Sequence, residues 1–260
     1  KMHRIRHKGE FFAVEGPLNI ARSPQGHPVL VQAGNSGPGQ AFAAKVGEVI
    51  FAIKYNFEDA RAFYREFKQK VAAAGRNPDD VYILQGISPV IGATEEEARA
   101  KRKELEALLP EETIIGFLAD YFKEVDFSRF TADTTAREAG LDTIQAANPD
   151  YRKHQPVIAR ENPTLREIYS LLIGSFSGDS FVGTPEKIAS SLEKWFLEGA
   201  ADGFMLMAPA LPEGLEVFVD RVVPLLQERG LFRSEYEGRT LREHLGLPIP
   251  VNRHAAGSPV

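Results

Sequence analysis

A short glycine-rich stretch is the part of the sequence best suited to chemistry. Residues 33–39 read AGNSGPG, with glycines at 34, 37 and 39, Ser36 at a position typical of a helix N-cap, and Pro38 in the first turn that would follow. A helix that begins this way directs backbone N–H groups and the positive end of its dipole at one point, which suits a phosphate dianion. The same residues also fit a tight turn between a strand and a helix, and the local sequence alone favours the turn.

The histidines predict no metal site. His3 and His7 stand four residues apart, as two ligands on a helix would, but the residues after them alternate and predict a strand that holds the rings apart. His27 lies between a glycine and a proline and could reach a ligand, although an ordinary loop residue is the simpler interpretation. The other three histidines lie in polar sequence without partners at catalytic spacing.

Familiar catalytic motifs are missing from the sequence. The glycine stretch is neither a P-loop nor a GxGxxG motif, and the chain has no nucleophile elbow and no HExxH. Asp120, Glu124 and Asp126 lie close together in sequence, but a solvated surface explains them more simply than acid–base work. If the protein is an enzyme, a cofactor that carries the reaction itself fits this pattern.

Strands alternate with amphipathic helices around the glycine stretch. Apolar runs predict strands at residues 29–31, 49–53, 81–90 and 203–207. Helices are predicted at residues 38–47, from about 60 to 75, from 94 to 109, from 184 to 199 and from 215 to 230. Such βαβ units predict a parallel sheet, closed as a TIM (β/α)₈ barrel or open and doubly wound.

Local signals set several helix boundaries and faces. Thr94 with Glu97 three residues later predicts a capping box, and Thr184 before a proline predicts another N-cap. The helix that Thr184 begins has a predicted buried stripe of Ile188, Leu192, Trp195 and Phe196. We expect these four side chains to form the contact between that helix and the core.

Three regions interrupt the regular pattern. Residues before 29 predict a hairpin and a loop, and residues 231–260 predict an extended C-terminal extension on the surface. Residues 110–180 contain helical patches at about 111–123 and 163–173, separated by polar sequence. So long an interruption predicts a functional insertion, a lid on the substrate side, within a single domain spanning residues 1–260.

Composition limits the class of protein. The chain has 260 residues, of which 43% are hydrophobic and 26% charged, with a net charge of −5 and no cysteine. These values predict a globular core and exclude disulfide scaffolds, thiolate catalysis and a basic footprint for nucleic acid. No run approaches the roughly 18 apolar residues of a membrane span, and the N-terminus lacks a signal-peptide core, which predicts a cytoplasmic protein.

Several segments together resemble the flavin-dependent monooxygenases of the bacterial-luciferase superfamily. The most similar branch contains nitrilotriacetate, dibenzothiophene-sulfone and long-chain alkane monooxygenases. The matching segments, in family order, are HKGEFFAVEGPLN from position 7, SPQGHPVLVQAGNSGPGQAFAAKVGEVIF from 23, GRNPDDVYILQGISPVIGATEEEA from 75, DFSRF from 126, VGTPEKIASSLEKWFLEGAADGFMLM from 182 and VVPLLQERGLFRSEYEGRTLREHLGL from 222.

The resemblance implies a TIM barrel of which this chain supplies only the second half. The four predicted strands would be the fifth to eighth strands of the barrel, with residues 110–180 as the variable insertion that shapes the substrate pocket. Gly34, Asn35 and Ser36 match the loop that holds the FMN phosphate in the family. Some relatives have a His and a glycine-rich turn before DFSRF, which this chain lacks, so no catalytic base and no particular substrate is predicted.

The function implied by the resemblance is that of a two-component monooxygenase. Reduced FMN from a separate NAD(P)H:flavin reductase would react with O₂ to a C4a-(hydro)peroxyflavin, which oxygenates a small organic substrate. A homo-oligomer, dimer or tetramer, is also implied. The alternatives are a deazaflavin-dependent oxidoreductase of the same superfamily and a non-catalytic half-barrel with a role in assembly or ligand binding.

Overall fold

A computed structural model describes residues 3–34, 36–54, 56–144, 149–173 and 179–252 of the chain. The chain divides into two compact units, a terminal unit of Lys1–Leu30 with Glu235–Val260 and a central unit of Val31–Ser234. The strands are β1 His7–Lys8, β2 Ala13–Val14, β3 Val31–Gln32, β4 Val49–Ala52, β5 Tyr82–Ile87, β6 Val90–Ile91, β7 Val182–Gly183 and β8 Gly203–Leu206. The α-helices are α1 Gly37–Val46, α2 Phe57–Ala73, α3 Glu95–Ala107, α4 Glu111–Tyr121, α5 Pro149–Glu161, α6 Leu165–Ile173, α7 Pro185–Leu197, α8 Glu213–Val217, α9 Val223–Glu228 and α10 Leu241–His244.

The central unit is built on a parallel sheet in the order β3-β4-β5-β8. Val31 pairs with Val49, and Leu84 pairs with Gly203, so each strand joins its neighbour after a helical crossover. The predicted α/β class with a parallel sheet is confirmed. Because all four strands run the same way, the loops that follow them meet at one edge of the sheet.

The bounds of the predicted strands differ from the observed ones, most clearly at two of the strands. Of residues 29–31 only Val31 lies in β3. The predicted strand at 81–90 ends at Ile87 and is followed by the separate strand β6, which pairs with β7 instead of the main sheet. Pro89 between them has no N–H to donate to a ladder, and this breaks the pairing.

Helices cover one face of this sheet. The amphipathic pattern of α2 buries Ala60, Phe63, Phe67 and Val71, and the Asn56 side chain caps its start by accepting from the Asp59 N–H at 2.9 Å. Phe63, Phe67 and Val71 pack with Ile50 and Ile83 of the sheet and with α1. The burial of a 3.6-residue stripe fixes α2 on β4 and β5.

Helix α7 covers the β5–β8 side. As predicted, Thr184 is the N-cap, and its Oγ1 accepts from the Lys187 N–H at 3.4 Å. Ile188, Leu192 and Trp195 are buried, but Phe196 is 45% exposed, so its assignment to the buried stripe is wrong. Adjacent helical residues point about 100° apart, so the turn that buries Trp195 directs Phe196 away from the core.

The region 110–172 has its own hydrophobic core. Ile114, Phe122, Tyr151 and Ile168 are buried together in a cluster drawn from α4, α5 and α6. The two predicted helical patches correspond to α4 and α6, whereas α5 was not predicted. Its sequence is polar and contains Pro156, so its helical period is weak.

The segment predicted as one helix near residues 215–230 contains a π-helical turn at Phe218–Val222 between α8 and α9. Pro224 lies two residues after this turn, at the start of α9, and has no N–H to donate to the preceding turn, which accounts for the wider turn. Gly230 then ends the helix at φ +67°, as predicted. The capping box predicted at Thr94 is half present, because Glu97 accepts from the Ala93 N–H instead of that of Thr94.

In the terminal unit β1 and β2 form the predicted antiparallel hairpin. The prediction of an entirely extended C-terminal region is wrong at α10, where Thr240 and Glu243 form a capping box. Arg242 on this helix is fully buried, and its Nη1 donates to the Pro248 carbonyl at 3.3 Å. Four helical residues are too few to produce a recognisable period in a sequence.

Candidate functional site

The loop between β3 and α1 lies at the carboxyl edge of the parallel sheet. Gln32 ends the strand and Gly37 begins the helix, so only residues 33–36 connect them. Asn35, one of the three predicted phosphate-loop residues, lies outside the described residues, whereas Gly34 and Ser36 are described. In TIM barrels the active site lies at this carboxyl edge.

Ser36 is the N-cap of α1, as the sequence predicts. Its backbone is extended, at φ −68° and ψ 156°, and its Oγ accepts from the Gly39 N–H at 3.2 Å. The first helical bond runs from the Gln40 N–H to the Ser36 carbonyl at 2.8 Å. The hydroxyl is exposed and still has a proton to donate, so it can bind an anion while it caps the helix.

The three glycines of the loop have different roles. A Cβ on Gly34 would lie 3.2 Å from the Gly39 Cα, and a Cβ on Gly39 would lie 3.3 Å from the Gly34 Cα. These two glycines therefore let the strand end approach the first turn of α1. A Cβ on Gly37 would meet no atom within 4 Å, so packing in the described part of the chain does not require glycine there.

The arrangement fits a phosphate group. Gly37 is the first residue of α1, follows Ser36 directly, and is exposed like it. Together with the positive end of the α1 dipole, the Gly37 N–H and the Ser36 hydroxyl can hold a dianion, and the bare Gly37 Cα leaves room for its oxygens. The Gly34 N–H is already used, since it donates to the Gln32 Oε1.

The face of the sheet opposite the helices is apolar and partly exposed. Phe51 lies over Gly86, where a Cβ would come within 2.9 Å of the Phe51 ring, and Leu84 similarly covers Gly203. Met205 is 39% exposed on the same face. A flat aromatic group, or further protein, could pack on this surface because it presents carbon atoms rather than polar groups.

The other candidate side chains do not form a catalytic group in the described structure. His27 Nδ1 lies 2.8 Å from the Pro28 carbonyl and 3.2 Å from Arg242 Nη2, so the ring is part of the terminal unit's own packing. Asp120, Glu124 and Asp126 are exposed, as predicted. Hydrogen bonds from the Ser128 side chain and backbone lower the pKa of Asp126, which keeps that carboxylate ionised.

The described ranges hold neither a metal cluster nor a membrane-spanning helix. No group of three or more His, Asp or Glu side chains lies close enough together there to hold a metal ion. No helix of the described part of the chain is both long and apolar enough to cross a bilayer.

One polar network was not predicted from the sequence. Asp202, just before β8, accepts from the Tyr64 hydroxyl at 2.7 Å and from the Ile83 N–H at 2.8 Å, and lies 3.0 Å from Lys68 Nζ. Burial first, and then the bond to Asp202, raises the pKa of Tyr64 well above its ordinary value. The network joins α2, β5 and β8, and residues separated by more than a hundred positions gave no local signal of it.

Comparison with known proteins identifies relatives of this chain. Residues 1–203 match the family model described as Luciferase-like monooxygenase. N-acetyl-S-(2-succino)cysteine monooxygenase of Bacillus subtilis strain 168 is 48% identical over 98% of this chain and 58% of its own length. Nitrilotriacetate monooxygenase component A of Aminobacter aminovorans is 42% identical over 99% of this chain and 57% of its own.

A solved structure supports the same relationship. Riboflavin lyase (RcaE), solved with modified FMN and riboflavin, superposes with a TM-score of 0.73 at 31% identity and covers 96% of this chain and 54% of that one. The chain thus spans between 54% and 58% of the length of these three relatives. Proteins named nitrilotriacetate, dibenzothiophene-sulfone and long-chain alkane monooxygenase are among the relatives, which confirms the predicted branch. This chain belongs to the luciferase-like monooxygenase family.

Proposed function

We propose that the protein is the oxygenase of a two-component, FMN-dependent monooxygenase system acting on a small organic substrate. The relatives that share 42–48% identity with the chain are named monooxygenases. The observation on which the proposal rests is the exposed Ser36–Gly37 helix start at the carboxyl edge of the parallel sheet. This helix start lies at the edge of the sheet where TIM barrels have their active site, and the start of a helix can bind an anion.

The four strands of the main sheet correspond, in this proposal, to the fifth to eighth strands of a TIM barrel. Their parallel order and the coverage of 57% of a longer relative support this assignment. The partly exposed apolar face of Phe51, Leu84 and Met205 would then line the barrel interior. Much of the flavin pocket would come from the other half of the barrel.

The residues of this chain bind and shield the cofactor. Ser36 and the Gly37 N–H hold the FMN phosphate, together with Asn35, which the sequence assigns to the same loop. The insertion at about 110–180 acts as a lid on the substrate side and excludes water. When bound, reduced FMN supplies the oxygen chemistry.

The partners in this proposal are the substrate and an NAD(P)H:flavin reductase. One relative is named as a component of nitrilotriacetate monooxygenase, and two others are named as different subunits of pristinamycin IIA synthase. These names support a system of more than one polypeptide. A homo-oligomer, dimer or tetramer, and a cytoplasmic location are part of the same proposal. Catalysis needs no metal and no nucleic acid in this scheme.

The first test removes the proposed phosphate contact. In the full-length protein, Ser36→Ala should weaken FMN binding by about 1–3 kcal/mol, the range for a hydrogen bond to a charged group. Fluorescence titration with FMN measures the dissociation constant. Thr94→Ala is the matched control, because Thr94 caps α3 through the same 3.2 Å bond but lies outside the proposed site.

Each outcome of this comparison has a clear meaning. Weaker binding in Ser36→Ala with unchanged binding in Thr94→Ala supports the phosphate site. Equal affinities in both variants and in the parent protein would contradict it. A native protein that binds no flavin would favour the non-catalytic half-barrel. Oxygen consumption coupled to flavin oxidation in the presence of substrate would separate the monooxygenase from the deazaflavin-dependent oxidoreductase, which moves hydride without oxygen.

A further inference from the structure

An open groove runs along the outer face of α2, between this helix and the C-terminal end of α7. It has a volume of about 690 Å³ and is lined by residues of α2 at helical spacing, by Pro78 and by Glu198 with Gly199. We call it the α2 groove. A volume of this order suits a small-molecule ligand, for which pockets of about 300–1,000 Å³ are usual.

Two arginines of the α2 groove repel each other. Arg61 and Arg65 stand four residues apart on α2, so their side chains lie on the same helix face and both are exposed. No carboxylate within the described ranges forms an ion pair with either. On α3, by contrast, cations at the same spacing are neutralised, since Arg99 pairs with Glu95 and Lys101 with Glu97.

The third cation of the groove is already bound to protein. Lys68 Nζ lies 3.0 Å from Asp202 Oδ2 and donates to the carbonyls of Pro78 at 2.9 Å and Val81 at 2.6 Å. The Asp202 carboxylate also accepts from Tyr64 and Ile83. It is therefore occupied and cannot compensate the two arginines, which leaves their guanidinium groups as the donors that a ligand can use.

The α2 groove is separate from the glycine loop. The groove runs along the length of α2, from Glu58 near its start to Pro78 and Gly199, which precede β5 and β8. Ser36 belongs to the loop between β3 and α1 and does not line the groove. A ligand held by the groove residues therefore does not occupy the proposed FMN phosphate site.

We propose that the α2 groove binds a small phosphorylated molecule through Arg61 and Arg65. The planar guanidinium fork matches phosphate oxygens in two-point hydrogen bonds, and two such groups one helical turn apart can hold adjacent phosphates. Bound phosphate also removes the repulsion between the two cations. Glu58 and Glu198 flank the groove and disfavour a long polyanion, so the ligand is a small molecule rather than nucleic acid.

Calorimetric titration of the full-length protein with inorganic pyrophosphate and with ADP, at constant ionic strength, tests the proposal. Both ligands should bind saturably, whereas adenosine should not bind. Arg61→Ala and Arg65→Ala should each weaken binding at least tenfold, and both residues are exposed, so an unchanged melting temperature will show that the fold is intact. Tighter binding of ADP would identify a nucleotide ligand, and equal binding would identify the phosphates alone; both support the site.

Two control variants make the outcome specific. Lys103→Ala removes an exposed cation of α3 outside the groove and should leave pyrophosphate affinity within twofold of the parent protein. In the second control, Arg61→Ala is added to Ser36→Ala, and it should weaken pyrophosphate binding at least tenfold in that background as well, which separates this site from the proposed FMN site. The proposal is overturned if the parent protein shows no saturable binding, if Lys103→Ala loses as much affinity as the arginine variants, or if Arg61→Ala causes no loss in the Ser36→Ala background.

Discussion

Individual glycines in the β3–α1 loop differ in what they do for the protein. Gly34 and Gly39 allow a backbone contact, whereas Gly37 has open space around it. The sequence predicted the Ser36 cap and the proline in the first turn, because capping depends on residue type at a fixed position. The sequence could not show which of the glycines the fold requires, because that depends on how closely the strand end approaches the helix.

A substitution at Gly37 tests its role at the residue scale. Gly37→Ala adds a methyl group where no protein atom lies within 4 Å. The free energy of unfolding should therefore stay the same or rise by up to about 1 kcal/mol, since alanine favours a helix more than glycine does. FMN affinity in the full-length protein should fall by roughly tenfold, or about 1.4 kcal/mol, because the methyl group occupies the space of a phosphate oxygen.

Gly116→Ala is the matched control for this experiment. Gly116 is also a helical glycine with no atom within 4 Å of an added Cβ, and it lies on α4. The control should show the same effect on stability with no change in FMN affinity. Equal FMN affinity in both alanine variants would remove Gly37 from the site.

The Asp202 network gives a second prediction at this scale. Asp202→Asn keeps the size of the side chain but removes the charge that faces Lys68, and one amide N–H₂ group replaces an acceptor oxygen. Because the pair is largely buried, unfolding in urea should show a loss of about 1–3 kcal/mol. Asp120→Asn, on the exposed face of α4, should change stability by less than about 0.5 kcal/mol.

At the scale of elements, periodicity predicted the long helices and missed what depends on tertiary contacts. In helices α2 and α7 the buried face corresponds closely to the apolar stripe that periodicity predicts. Phe196 was misassigned because a sequence pattern cannot decide which of two adjacent aromatic residues the core accepts. Trp195 occupies the core position, with its ring 5.2 Å from that of Phe181 and 6.0 Å from that of Phe57.

This adjacent pair provides a direct stability test. Trp195→Ala should lower the free energy of unfolding by about 3–5 kcal/mol, since it leaves a large cavity between α7 and the sheet. Phe196→Ala should lower it by less than about 1 kcal/mol, because the ring is already 45% exposed. Chemical denaturation of both variants measures the difference, and similar losses in the two would contradict the observed orientation of α7.

Helix α5 is an element that the sequence pattern did not predict. Tyr151 and Ile158 of this helix are fully buried and stand seven positions apart, and the polar residues and Pro156 between them hide the period. The helix forms because its few apolar side chains complete the core of α4 and α6. Tertiary packing, rather than helix propensity, therefore determines this element.

At the scale of the whole molecule, several carboxylates link stability to pH. Hydrogen bonds from backbone and side chains lower the pKa values of Glu97, Glu138 and Glu243 below the ordinary value. A carboxylate with a lowered pKa stabilises the fold above its unfolded pKa, and this contribution disappears as pH falls through the folded pKa. The melting temperature should therefore decrease as pH falls below about 4.5.

The Thr135–Glu138 pair is suitable for this test. Glu138 Oε2 accepts from the Thr135 N–H at 2.8 Å and from its hydroxyl at 2.7 Å. Glu138→Gln should lower stability at neutral pH and make the decrease below about pH 4.5 shallower. A melting temperature that is constant between neutral and acidic pH in the parent protein would contradict the expectation.

The family and the parallel sheet could be predicted from the sequence alone. The segments in family order predicted the family, which the comparisons confirm, and the parallel sheet follows from the alternation of strands and helices. The chain covers 58% of the length of a relative at 48% identity, so the rest of that relative has no counterpart among these residues. Correspondence to the second half of the barrel stays a prediction.

The most direct test of the central claim compares two flavins that differ only in the phosphate. Equilibrium binding of reduced FMN and reduced riboflavin is measured under anaerobic conditions with the full-length protein and with Ser36→Ala. The parent protein should bind FMN at least tenfold more tightly than riboflavin, and Ser36→Ala should reduce this preference while leaving riboflavin affinity unchanged. Equal affinity of the parent protein for the two flavins would contradict the proposed phosphate site.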